Sequence, residues 1–158
     1  MQTSFWTDPK VRALPTKAKL LFTYLITSPN SHVSGIYYLP TTAISYETGL
    51  TKEEVDEMLL SLTDSDLALY DRDTNTVWIK NMLRHQGRGQ KIIQAVEYQL
   101  ASLHNSNLIK SFLEYYQEFK IGYKYPFDTL SKGGAVLSSP VPSPSSNLSS
   151  LNGEGGGE

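Results

Sequence analysis

Residues 41–62 read TTAISYETGLTKEEVDEMLLSL, and their chemistry predicts two helices meeting at a tight corner. Thr41 stands where a side-chain oxygen can cap a helix of one or two turns. Gly49 stands where that helix must stop, because glycine adopts the left-handed conformation of a helix end without steric cost. A longer helix follows. Thr51 with Glu54 three residues on forms a capping box, and Val55, Met58, Leu59 and Leu62 give an apolar stripe at helical spacing. The opposite face carries Lys52, Glu53, Asp56, Glu57 and Ser61 and is mostly acidic.

Outward from this corner the pattern continues on both sides. GIYYLP, residues 35–40, is a β-rich run bracketed by glycine and proline and predicts a small strand. Upstream, residues 17–27 carry apolar side chains at 18, 20, 21, 22, 25 and 26. With Thr16 as cap and Ser28-Pro29-Asn30 as stop, they predict a buried first helix. Phe5, Trp6, Val11 and Leu14 are expected to pack on its side. Downstream, the runs 67–70 and 76–80 flank Asp71-Arg72-Asp73-Thr74-Asn75, a hairpin with a polar loop of about five residues. The fold class expected is α+β, mainly helical with a small β-hairpin.

This order of elements resembles a winged helix-turn-helix domain over about residues 5–86, with the turn at 46–51 and DRDTN as the wing tip. A narrower likeness lies in the start SFWTDPKV, the helix KAKLLFTYLIT, the strand GIYYLP, the segment TGLTKEEVDEMLLSL, the hairpin ALYDRDTNTVWIKNM and the closing RHQ. Together they resemble phage replisome-organiser and DnaD-like replication initiation proteins. That resemblance implies an N-terminal winged helix that binds origin DNA or self-associates, and a later part that engages the helicase or its loader. The expected role is a non-enzymatic DNA-binding module acting on double-stranded and possibly also single-stranded DNA. Two alternatives stay open: a protein-interaction module of the same fold that binds no DNA, and a winged-helix transcriptional regulator.

The stretch VWIKNMLRHQGRGQK, residues 77–91, holds four cations and no acid, in a chain whose formal net charge is −2. Lys80, Arg84, Arg88 and Lys91, with His85, are candidate phosphate contacts, since each neutralised phosphate releases counterions. The spacing 80, 84, 88 would align three cations on one helical face, but Gly87 and Gly89 argue against a regular helix there. A solvated loop is the competing reading. Thr42, Ser45, Tyr46 and Lys52 are the candidate contacts of the helix-turn-helix, and Arg72 that of the wing. Glu53 and Glu57 share a face that repels phosphate, which favours shallow docking, a protein-facing helix or a solvated acidic surface. Asp71 and Asp73 flank Arg72 and are expected to hold it in a local ion pair.

Residues 90–128 predict two amphipathic helices joined at 104–107. Tyr98, Leu108, Phe112, Tyr115, Tyr116 and Phe119 are the candidate oligomer interface, because tyrosine is favoured at interfaces; a cover for the winged-helix core is the alternative. From residue 129 the composition turns to Ser, Pro and Gly, which predicts a disordered tail or linker, one at which a longer protein would have been cut. The expected organisation is therefore 1–89, 90–128 and 129–158. Cysteine is absent, and the three histidines at 32, 85 and 104 lack ligand spacing, so no metal site or cofactor is expected. No apolar run approaches a membrane span and the N-terminus lacks secretory-signal character, so a cytoplasmic protein with no membrane contact is expected. No phosphate loop, nucleophile elbow or zinc-protease motif occurs, and no catalytic residue is predicted.

Overall fold

The computed structural model describes residues 3–104 and 106–122. The tail expected from residue 129 lies outside the described residues. The chain opens with a 3-10 turn, Thr3–Thr7, and a short helix α1, Pro9–Arg12. Asp8 caps α1 by accepting from the Lys10 amide at 2.8 Å, and Pro9 fills the first helical position, where a missing N–H costs nothing. Phe5, Val11 and Leu14 are buried as expected, but Trp6 stays exposed.

Helix α2, Thr16–Thr27, buries Ala18, Leu21, Phe22 and Leu25. Its cap is Pro15 rather than Thr16, and no side chain bonds the first turn. Strand β1, Ile36–Tyr38, follows, then α3, Thr41–Thr48. Here too a proline, Pro40, takes the cap position expected of Thr41. Gly49 closes α3 with φ +77°, the left-handed stop anticipated at that position. Helix α4, Lys52–Asp64, starts with both halves of the capping box in place: the Glu54 amide donates to Thr51 Oγ1 at 3.1 Å, and the Thr51 amide donates to Glu54 Oε2 at 2.9 Å. Lys17 of α2 also bonds Glu54, tying the two helices.

Strands β2, Ala68–Asp71, and β3, Thr76–Ile79, form the expected hairpin, but the sheet has a third member. β1 pairs antiparallel with β3, Ile36 opposite Trp78, in the order β1-β3-β2. β3 is therefore central, and all four of its residues are buried. Alternation along the strands sends side chains to two cores. Tyr37, Ala68, Val77 and Ile79 meet α2, α3 and α4. Ile36, Leu69 and Trp78 meet a second cluster on the other face.

That second cluster is built by α5, Gln90–Ser102, and α6, Asn107–Tyr115, followed by a 3-10 turn, Gln117–Phe119. Val96 and Leu100 of α5 and Ile109, Phe112 and Tyr116 pack around Trp78. Ser106 caps α6 and donates its hydroxyl to Asp71 at the end of β2 (2.5 Å). The break expected between 89 and 90 is thus not a break in packing: the described part of 90–128 completes the same unit as the hairpin. The molecule is α+β, mainly helical, with a small three-stranded sheet between two helical layers.

Candidate nucleic-acid interface

The residues expected to touch DNA separate into two groups. The hairpin explains why. Asp71 faces Thr76 at its closed end and Ala68 faces Ile79 at its open end. Three residue steps of about 3.4 Å put roughly 10 Å between those ends. Arg72 sits at the closed end, and Lys80 with the stretch after it at the open one.

The first group lies on the α3–α4 corner. Thr42 and Tyr46 stand out from α3, Tyr46 at 88 % exposure, and Lys52 is exposed at the start of α4. Ser45 differs. Its hydroxyl donates to the Leu50 carbonyl at 2.6 Å and closes the corner from inside. Along α4 the exposed line reads Glu53, Glu57, Leu60 and Asp64, so the helix turns an acidic face outward.

Arg72 is ion-paired, but not to its sequence neighbours. It donates to Asp56 of α4 at 2.6 Å and pins the hairpin loop to that helix. Asp71 is occupied elsewhere: it accepts from Ser106 and from the Asp73 amide at 3.0 Å. Burial works against its charge, but hydrogen bonds from Ser106, Thr74 and the loop amides outweigh it and hold the carboxyl below its usual range.

The second group answers what the cationic stretch is for. It forms no regular helix: Asn81 has φ +65°, Gly87 has φ +96°, and only a 3-10 turn, Leu83–His85, lies between. The three evenly spaced cations nevertheless converge on the end of α6 and the 3-10 turn after it. Lys80 lies 5.3 Å from the Tyr115 ring, Arg84 4.5 Å from Tyr115 and 5.2 Å from Tyr116, and Arg88 4.8 Å from Phe119. Such cation–π contacts fasten the C-terminal helical layer to the sheet. Lys80 also donates to Asp66 at 2.5 Å, and its side chain is only 17 % exposed. That hydrogen bond is the main reason the Asp66 carboxyl lies below its usual range.

Arg84 is the most heavily engaged. It donates to Glu118 Oε1 at 2.7 Å, to the Tyr115 carbonyl at 3.3 Å and to Asn81 Oδ1 at 3.1 Å. The bond to Glu118 raises the pKa of Arg84 and lowers that of Glu118. His85 and Lys91 are exposed and have no acidic partner among the described residues.

The expected oligomer set is corrected by burial. Phe112, Tyr116 and Phe119 are buried inside this chain against the sheet and cannot present an interface. Leu108 and Tyr115 are half-buried, and Tyr98 alone of the six is strongly exposed, at 79 %. The reading of these helices as a cover for the core is the one the packing bears out.

Asp66 and Glu118 were not singled out by sequence, and Asp56 stands out there only as part of the acidic face of α4. Their hydrogen-bond partners Arg72, Lys80 and Arg84 lie 14 to 34 residues away along the chain, and Lys10, which also pairs with Asp66 at 3.6 Å, lies further still. The one available signal was an acid beside the aromatic run Tyr115-Tyr116, downstream of evenly spaced cations. Among the described residues no group of His, Asp or Glu is arranged to hold a metal, and no helix is long and apolar enough to cross a membrane.

Comparisons with protein-family models, curated proteins and solved structures find no match.

Proposed function

We propose that this chain is the winged-helix, DNA-binding module of a replication-initiation or replisome-organiser protein, a cytoplasmic module that acts by binding and not by catalysis. The observation that carries the reading is the α2–α3–α4 arrangement with its Gly49 corner, joined to a hairpin whose loop is pinned to α4 by Arg72–Asp56. A winged helix uses this arrangement to present its second corner helix and its wing together. Thr42, Tyr46 and Lys52 are the contacts: two hydroxyls and one cation at the start of α4, suited to phosphate oxygens. Glu53 and Glu57 oppose an approach along the length of α4, so the helix docks by its N-terminal edge. Self-association and a helicase or helicase-loader partner belong to the same proposal, with Tyr98 an exposed aromatic residue of the α5–α6 layer suited to such contact.

The acidic line with Leu60 at its centre favours a second reading, in which α4 meets a basic protein partner and DNA is not bound. Fluorescence anisotropy of labelled duplex and single strand at about 50 and 200 mM salt separates the two. Salt-sensitive binding that weakens in Tyr46→Ala and Lys52→Ala supports the DNA reading. Absence of binding at the lower salt rejects it in favour of the protein-facing helix.

A further inference from the structure

We propose that Glu118 is an internal stand-in for a nucleic-acid phosphate, one that latches Arg84 and is displaced when DNA recruits residues 84–91 as a second contact surface. The inference rests on the DNA-binding reading above and adds to it a surface remote from the α3–α4 corner.

Arg84 Nη2 meets the Glu118 carboxylate at 2.7 Å, while Nη1 is held by Asn81 at 3.1 Å and the ring of Tyr115 lies 4.5 Å from the guanidinium carbon. A guanidinium is a planar fork that fits carboxylate and phosphate in the same way. The two anions therefore compete for one site, and the stacking and the Asn81 bond leave the fork aimed whichever anion is present.

The latch is superficial. The side chains of Arg84 and Glu118 are 38 % and 37 % exposed. Phe112 and Tyr116, which hold the helical layer down, are buried. Glu118 can therefore leave Arg84 without opening the core. It lies in the 3-10 turn Gln117–Phe119, one step beyond α6, which ends at Lys120 in the left-handed conformation with φ +51°.

The neighbourhood suits a polyanion. Arg88 sits over Phe119, where its charge also helps to lower the Glu118 pKa, but it makes no close ion pair among the described residues, and His85 and Lys91 are exposed. With Glu118 displaced, Arg84, Arg88 and Lys91 form a cationic surface. Lys80 stays outside it, because Asp66 holds it.

The test measures duplex binding by anisotropy at about 50 and 200 mM salt for the wild type, Glu118→Gln, Glu114→Gln and the double variant Arg84→Ala/Glu118→Gln. Glu114 is an exposed acid on α6 and controls for the general field. Glu118→Gln is expected to bind tighter than both wild type and Glu114→Gln at low salt. Because DNA displaces Glu118 in the wild type too, both chains neutralise the same phosphates, so their log–log salt slopes should agree to within the about −0.9 of one contact and the advantage should persist at both salts. The double variant should lose it. Glu118→Ala should reproduce the gain, and melting curves establish that each variant folds. If the wild type binds but Glu118→Gln behaves as Glu114→Gln does, the latch is overturned and the DNA reading stands. If neither wild type nor Glu118→Gln shows salt-sensitive binding, both are overturned.

Discussion

Alanine at Gly35 should be far more damaging than alanine at Gly49, although the two glycines have nearly the same backbone, φ +79° and +77°. At Gly49 a Cβ would meet nothing within 4 Å. Only the left-handed conformation is penalised, by about 1–2 kcal/mol, and a stiffer unfolded chain returns about 0.4–1 kcal/mol of that. The net loss should be about 1 kcal/mol. At Gly35 the same Cβ would lie 2.7 Å from the Ile79 carbonyl oxygen and 2.9 Å from Met82 Cβ. The Ile79 backbone has little room to retreat, because its amide donates to the Gly35 carbonyl at 2.7 Å and the next amide, of Lys80, donates to Leu67 at 3.0 Å. Overpacking of this kind adds about 1–3 kcal/mol, for a total of roughly 2–4 kcal/mol. Urea unfolding followed by tryptophan fluorescence reads the difference directly. At the slopes usual for small domains, Gly35→Ala should lose roughly 1–2 M in midpoint and Gly49→Ala roughly 0.5 M, with m unchanged. Equal midpoints would refute the argument, for the steric contact is the one thing that distinguishes the two sites.

Phe112→Ala should cost about 3–5 kcal/mol, since the ring is fully buried against Trp78 with centroids 5.7 Å apart; Trp6 is already exposed, so a red shift in native-state emission would report Trp78, and its absence would count against the packing described. If α4 approaches DNA, Glu53→Gln with Glu57→Gln should tighten duplex binding and flatten none of its salt dependence, whereas an unchanged affinity in anisotropy would place that face away from the nucleic acid. Acidification should lower stability in two steps, read as urea midpoints at about pH 7, 5 and 3. Burial lowers the His32 pKa below 6.5, and its Nδ1 accepts from the Ser34 amide at 3.1 Å, so the folded chain binds fewer protons than the unfolded one and loses stability as pH falls below that value. Asp66 and Asp71 have pKa values below 3.8 for the reasons given above, so their contribution is intact above that pH and lost as pH falls below it. His32→Asn should abolish the upper step only, and a wild type equally stable at pH 7 and 5 would contradict the assignment.

What the sequence disclosed was local chemistry. Gly49, Thr51 and Glu54 act within a few residues, and the corner they specify is the corner that forms. Thr16 and Thr41 misled because a proline precedes each: with φ near −57° and −71° and an extended ψ, Pro15 and Pro40 themselves supply the cap geometry and move each threonine into the first turn. The pairing of β1 with β3 was hidden for another reason. Ile36–Tyr38 is three residues long, and Trp78, opposite Ile36, lies 42 positions on, with no turn to announce the contact. Periodicity marked Phe112, Tyr116 and Phe119 as one apolar face, but it does not say whether that face is covered by another chain or by this one.

The cationic stretch shows the same limit and gives it a consequence. Its even spacing was legible; the rings of Tyr115, Tyr116 and Phe119 that it meets were not. Because the cations at 84 and 88 contact the helical layer in the folded chain, fastening and phosphate contact draw on the same side chains. A variant that frees Arg84 by removing Glu118 should gain affinity and lose some stability, while one that removes Arg84 should lose both. Two readouts moving in opposite directions at Glu118 and together at Arg84 would mark the stretch as fastener and contact surface at once. A stability loss at both positions with no change in affinity would leave it as a fastener alone.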